Sequence, residues 1–186
     1  MTSERSDSVW ERARSYTAAQ QRTASVALEL FADHGVGGTS LQMIADELGV
    51  TKAAVYHQFR TKDAIVIAVL EIELARIESA LDPASSREQL LVDLLDVVVR
   101  NRRAYRTLQH DPVLFRLLAE HAPARTFFTR LFTTLLGEEL DARTRVRAAV
   151  LSAAIGAVGH PFVDDVDDAT LRDVLLDVTR RLVEPD

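Results

Sequence analysis

Residues 39–62 carry two short apolar stripes separated by a single glycine, and few arrangements of a chain accommodate that pattern. Leu41, Ile44, Ala45 and Leu48 stand at i, i+3, i+4 and i+7, the spacing of one buried helical face, with Gln42 and Met43 off it. Thr39 with Gln42 three residues on matches a capping box at the start of that helix. Gly49 supplies permissive backbone for a helix end, Val50 is placed to fill the angle between two helices, and Thr51 is placed to cap the next one. In the second helix Val55 and Phe59 are four apart and face inward, which leaves Thr51, Lys52, Ala53, Ala54, Tyr56 and His57 outward. The spacing predicts a helix-turn-helix. Short outward side chains let such a helix approach base edges, and flanking hydroxyl, amide and cationic groups suit phosphates, so double-stranded DNA is the first partner this segment implies.

The remaining periodicity is helical as well. A first core helix is expected from Thr17, capped with Gln20, to His34, with Gly35 ending it. Ahead of it residues 1–16 are polar, with Arg5, Arg12 and Arg14, and read as an arm; Ser8 with Glu11 fits a capping box, which admits a short helix carrying Trp10. Contact of this arm with DNA and simple solvation of a chain end both fit. From Thr61 to about Leu81, Ile65, Val69 and Ile72 adjoin a second stripe of Leu70, Leu74, Ile77 and Leu81, so this long helix is buried on more than one side and suited to carry movement from a second domain into the first. Asp82-Pro83 stops it, and Ser85 with Glu88 is read as the cap of the next, whose buried face is Leu91, Leu94, Leu95 and Val98. Further helices are expected at about 102–109, 112–121, 124–137, 142–158 and 168–183. Nothing reads as a strand, and no internal repeat is visible. The expected architecture is all-α: an arm over 1–16, an amino-terminal three-helix helix-turn-helix domain over 17–61, and a larger helical domain over 62–186.

Composition bounds the chemistry. The 186 residues include no cysteine, which leaves neither a disulfide framework nor a thiolate metal site. The first residues are charged, and the longest apolar stretch, around Ala148–Gly159, is too short to span a bilayer, so a cytoplasmic protein without a membrane partner is expected. A net charge of −6 argues at first against nucleic acid, because phosphate neutralisation supplies most non-specific affinity. Between Thr51 and Lys62, however, the chain has Lys52, Arg60 and Lys62 and no acid. Both lysines of the chain fall there, a placement that coding bias towards arginine also accounts for.

Many spaced positions together resemble a known family. Ala27-Leu-Glu-Leu-Phe-Ala-Asp-His-Gly35, Gly38-Thr-Ser40, Ile44-Ala45, Gly49-Val50, Tyr56, Phe59 and Lys62 are similar to the DNA-binding domain of the TetR family of transcriptional regulators, over roughly the first third of the chain. One position departs: the family often places His directly before the Phe, whereas here Gln58 holds that place and His57 stands one earlier. The resemblance implies a homodimeric regulator, usually a repressor released from a palindromic operator by an effector. On this reading Thr51, Lys52, Ala53 and Ala54 lie nearest the bases with Gln42 in reach of one, while Ser40, Tyr56, His57 and Lys62 hold phosphates and Thr39 belongs to the same DNA-binding set. Two reading helices are then expected about 34–36 Å apart.

The resemblance also implies that the last two helices join two copies as a four-helix bundle, through Val146, Ala149, Val150, Ala153, Ala157, Leu171, Val174, Leu175 and Val178. Spacing alone leaves close packing within one subunit equally open. It implies an effector pocket in the middle of the chain, for which Leu91, Leu95, Tyr105, Gln109, Phe115, His121 and Phe128 are the candidates and a small apolar or amphipathic molecule the expected ligand; aromatic residues at helical spacing also fit a plain core.

Other chemistries find little support. The five histidines lack metal-ligand spacing, no nucleophile elbow surrounds a serine, and no cofactor or catalytic role is expected. Arg100–Arg106 reads as a solvated face near a helix end, Asp164–Asp168 as helix-start carboxylates without the Gly and distal Glu of a calcium loop, and Gly35–Gly38 follows a helix where a nucleotide loop follows a strand. The rival from another class is a helical ligand-binding or protein-docking module that keeps the helix-turn-helix shape without operator recognition.

Overall fold

The computed structural model describes residues 8–82, 84–103, 105, 111–137 and 141–184, with Phe115 described by its backbone alone. Among the described residues there is no strand, and the chain is all-α as its periodicity predicts. The helices are α1 (Val9–Ser15), α2 (Ala18–Gly38), α3 (Leu41–Leu48), α4 (Lys52–Gln58), α5 (Lys62–Ala80), α6 (Arg87–Arg100), α7 (Pro112–Glu120), α8 (Ala122–Leu136), α9 (Ala142–Gly156) and α10 (Asp168–Val183). Two short 3-10 turns, Ala157–Gly159 and Pro161–Val163, link α9 to α10. Of the stretch expected as a helix at 102–109, only Arg102, Arg103 and Tyr105 are described; residues 1–7 of the expected arm lie outside the described residues.

Packing divides the chain into two compact units, one from the described parts of Met1–Arg76 and Thr107–Phe127, the other from those of Ile77–Arg106 and Phe128–Asp186. This partition by packing differs from the division at residue 61 read from sequence: most of α5, and all of α7, share a unit with the helix-turn-helix. Periodicity marks which side of a helix is buried, but not which neighbour buries it.

In the first unit α2 packs on α3 and α4 over Ala27, Phe31, Val36, Ile44, Ala45 and Val55, all fully buried. Burial contributes roughly 1.5–3 kcal/mol for each large side chain such as Phe31 or Ile44. Thr17 starts α2 with a complete capping box to Gln20. At Gly35 the backbone turns left-handed, φ 72°, so the expected helix end is a kink, after which one more turn runs to Gly38. Gly49 closes α3 at φ 65°, with Val50 N–H donating to Ala45 C=O at 3.0 Å, the glycine stop read from sequence. Two local expectations are corrected. Ser40 caps α3, accepting from Met43 N–H, because Thr39 is turned inward; and Val50 does not plug the helix angle but stands 38% exposed beyond the α3 stop.

The amino-terminal segment is more than an arm. Ser8 accepts from Glu11 N–H to start α1, Val9 is buried, and Arg12 pairs with Glu71 of α5.

In the second unit α6 packs against α10, and α10 against α9. The predicted face Leu91, Leu94, Leu95 and Val98 is buried, joined by Leu90, Val97 and Val99. Arg172 to Asp96, and Arg180 to Glu88 at 2.9 Å, tie α10 to α6 along the surface. The α6 cap is Ser86, accepting from Gln89 N–H, and Ser85 instead closes the preceding turn on Asp82 C=O. Asp141 and Asp167 cap α9 and α10, accepting from Thr144 and Thr170 N–H at 2.7 and 3.0 Å. Arg102 is not the solvated cation its run suggested: it donates to Val166 C=O at 2.7 Å and pairs with Asp168 at 3.2 Å, tying down the turn before α10.

Candidate nucleic-acid interface

The outward side of α4 carries Thr51, Lys52, Ala53, Tyr56 and His57, all exposed, with Ala54 half-exposed between them. An α-helix with its side chains is about 10–12 Å across, so α4 matches the width of a duplex major groove, about 12 Å. Thr51 Oγ1 accepts from Ala54 N–H and Ser40 Oγ from Met43 N–H, each at 3.2 Å. Each hydroxyl keeps its own proton, so capping a helix and donating to a phosphate are compatible. Gln42 is exposed and its amide donates to Asp46 at 2.7 Å. Arg60, outside the set read from sequence, holds its guanidinium 5.5 Å from the ring of Tyr56. Arg60 lies just past the end of α4, so helical spacing does not announce the contact; a guanidinium near an aromatic face is favourable in itself.

Gln58, at the position where the resemblance expects His, faces inward. Its Oε1 accepts from Thr23 Oγ1 at 2.8 Å, and its backbone carbonyl accepts from Gln20 Nε2 at 3.3 Å. The α4 helix is thereby fastened to α2 at its carboxyl end, with its amino end and outward side left open.

Two residues assigned to DNA by sequence have other tasks. Thr39 is 1% exposed and its hydroxyl is spent on the carbonyls of Gly35 and Leu30, at 2.9 and 3.2 Å. Lys62 Nζ donates to the carbonyls of Val36, Thr39 and Gly37 at 2.8, 3.0 and 3.4 Å. An ammonium has three protons, and all three are committed to the turn between α2 and α3. Asp111 holds the same turn from another side: Oδ2 accepts from Val36 N–H at 3.0 Å while Oδ1 caps α7 through Val113 N–H at 2.8 Å. The sequence gives no sign of this pairing, since the partners are 75 residues apart.

The residues read as an effector pocket are not gathered in one unit. Leu91 and Leu95 are fully buried in the second unit, which also contains Tyr105 and Phe128, the latter stacked on Phe132 at 6.3 Å. His121 belongs to the first, its Nε2 2.9 Å from Glu71 Oε1. Gln109 and the side chain of Phe115 lie outside the described residues.

The residues read as an interface divide by burial. Val146, Val150, Val174 and Val178 are 64%, 48%, 56% and 55% exposed, and Ala149 and Ala153 are exposed beside them. Leu171 and Leu175 leave that set: both are buried in the second unit, and Ala157 is half-buried. On α10 the apolar spacing merged two faces, an inner one of Leu171, Leu175, Leu176 and Val183, and an outer one of Val174 and Val178.

Residues 25–69 match the family model for bacterial regulatory proteins of the tetR family. The transcriptional regulator AcrR of Shigella flexneri is 33% identical over 93 residues, which are 45% of this chain and 43% of that protein. The chain thus spans less than half the length of the curated relatives it matches. Among solved structures, a tetR-family regulatory protein from Rhodococcus RHA1 superposes with a TM-score of 0.63 at 22% identity, covering 91% of this chain and 99% of that one. AibR, solved with isovaleryl coenzyme A and operator DNA, gives 0.63 at 17% identity over 86% and 96%. The match over residues 25–69 is thus to the tetR family model, and the chain that carries it has the fold of solved tetR-family proteins along most of its length.

Proposed function

We propose that this chain is a DNA-binding transcriptional regulator that acts as a homodimer in the cytoplasm, with the outward side of α4 in the major groove of each half of a palindromic operator. The observation that carries this reading is the exposed, acid-free surface of α4, fastened to a fully buried three-helix core inside the segment that matches the tetR model. Lys52, Thr51, Ala53 and Ala54 approach base edges with Gln42 in reach of one, and Ser40, Tyr56, His57 and Arg60 hold phosphates. Because one such module reads few bases, two copies are needed, and the exposed valines of α9 and α10 are the surface through which they pair.

Regulation follows if an effector favours a form in which the two reading helices are misplaced. The coupling this demands is modest, about 1–3 kcal/mol. A small apolar or amphipathic molecule is the proposed effector, and repression the proposed outcome; AibR, of the same fold, binds both isovaleryl coenzyme A and operator DNA, which supports the presence of a ligand site beside a DNA site. No catalytic step is assigned to the chain.

A mobility-shift series at several salt concentrations tests the reading. The expected result is one duplex retained at salt that releases random DNA, since non-specific binding falls steeply as counterions compete. A ligand-binding or docking module of the same shape shows no preferred duplex at any salt.

A further inference from the structure

Glu71 lies midway along α5, fully buried, and the DNA-facing surface makes no use of it. Its Oε1 accepts from Arg12 Nε of α1 and lies 2.9 Å from Nε2 of His121, the residue that ends α7. Its Oε2 accepts from the hydroxyl of Tyr16, the residue that ends α1. A buried carboxylate is strongly disfavoured unless it is paired and hydrogen-bonded, and these three groups meet that condition. Burial, reinforced by the Glu71 carboxylate, holds the Tyr16 phenol well above its ordinary range, so it remains a donor.

Tyr16 has a second contact. Its ring packs at a tilt on Phe59, with centroids 6.1 Å apart. Phe59 is buried and closes α4, its N–H donating to Val55 C=O at 2.9 Å. A continuous line of side chains therefore runs from the Glu71 carboxylate through Tyr16 to the end of the helix proposed to read DNA.

We propose that Glu71 is a positioning residue for DNA recognition: by fixing Tyr16 against Phe59 it sets the angle at which α4 presents its outward side. This rests on the reading of α4 given above. Recognition surfaces need their supporting side chains locked to within about 0.5 Å, and the directional hydrogen bond from Tyr16 to Glu71 supplies such a lock. The chemistry is that of register, and Glu71 itself need not meet the duplex.

Tyr16→Phe and Glu71→Gln are compared with the wild-type chain for binding to a duplex recovered by selection and to random duplex, at several salt concentrations, alongside thermal unfolding. Tyr16→Phe removes one hydroxyl and keeps the ring on Phe59. The expected result is a folded variant that binds the selected duplex about tenfold more weakly, with random-duplex binding and salt slope unchanged, since the phosphate contacts are intact. Glu71→Gln is expected to do the same, and the double variant to be no worse than the weaker single, because both act through one contact. Variants that melt earlier yet keep wild-type discrimination below melting overturn the proposal, making the cluster a staple of the fold only. If Glu71→Gln fails to fold, Tyr16→Phe decides by the same criterion. Failure of the wild-type chain to prefer any duplex overturns the DNA reading itself, and is seen before any variant is compared.

Discussion

Lys62 and Arg60 stand two residues apart, carry the same charge, and have different tasks. Arg60 is exposed over the Tyr56 ring, whereas the Lys62 ammonium is committed to three carbonyls of the 36–39 turn. Arg60→Ala is therefore expected to make the salt dependence of DNA binding shallower by about 0.9 in log–log slope while leaving stability within about 0.5 kcal/mol. Lys62→Ala is expected to do the reverse, lowering unfolding free energy in urea by about 1–3 kcal/mol as carbonyls lose a charged donor, with little change in slope. Lys52, exposed at the first position of α4, belongs to a third kind: Lys52→Ala should change which duplex is preferred, costing roughly 1–3 kcal/mol at one base position. Sequence spacing placed all three in one basic window, and it could not tell them apart. The carbonyls that Lys62 meets lie 23–26 residues away, and Glu71 meets partners 50–59 residues away.

Helix ends were far more legible, because a cap is a conversation among four neighbouring residues. Thr17 with Gln20, Gly49, Thr51 and Ser8 all act as the sequence indicates. Two misses at helix starts are shifts of one place, Ser40 for Thr39 and Ser86 for Ser85, where two cap-competent residues adjoin, and one helix end read at Gly35 is a kink with a further turn to Gly38. At Thr39 a tertiary contact makes the choice, by drawing its hydroxyl onto the carbonyls of Gly35 and Leu30. The caps of α9 and α10 also have a pH signature. Asp141 and Asp167 are held below the usual carboxylate range chiefly by the N–H groups of Thr144 and Thr170. Their folded-state values lie below the unfolded ones, so their contribution is present above the ordinary Asp range and is lost as pH falls through the lowered values. Asp167→Asn keeps the accepting oxygen and removes the titration; thermal melts between neutral and acid pH should show a flatter acid limb for this variant than for the wild type. Glu73 runs the other way, raised by burial against the opposing pull of Arg76, so its contribution is present below the ordinary Glu range and lost as pH rises.

At the scale of the molecule, the all-α architecture follows from periodicity, whereas the grouping of helices does not. Helix α7 shares a unit with the helix-turn-helix because Asp111, Arg116 and His121 reach Val36, Asp63 and Glu71, none of which an apolar stripe reveals. The two faces of α10 separate a prediction about assembly from one about folding. Val150→Asp or Val178→Asp should leave the chain folded and shift it towards a single copy in sedimentation, since both side chains are about half exposed. Leu171→Ala, at a site 4% exposed, should instead cost about 2–5 kcal/mol of stability.

Selection of duplexes from a random pool by the purified wild-type chain reaches the centre of the account in one step. Recovery of a palindrome whose half-sites are centred about 10–10.5 base pairs apart, or slightly more, is the result that two copies of α4 in successive major grooves predict. A pool that returns no enriched sequence, or a lone half-site occupied by one copy, contradicts it.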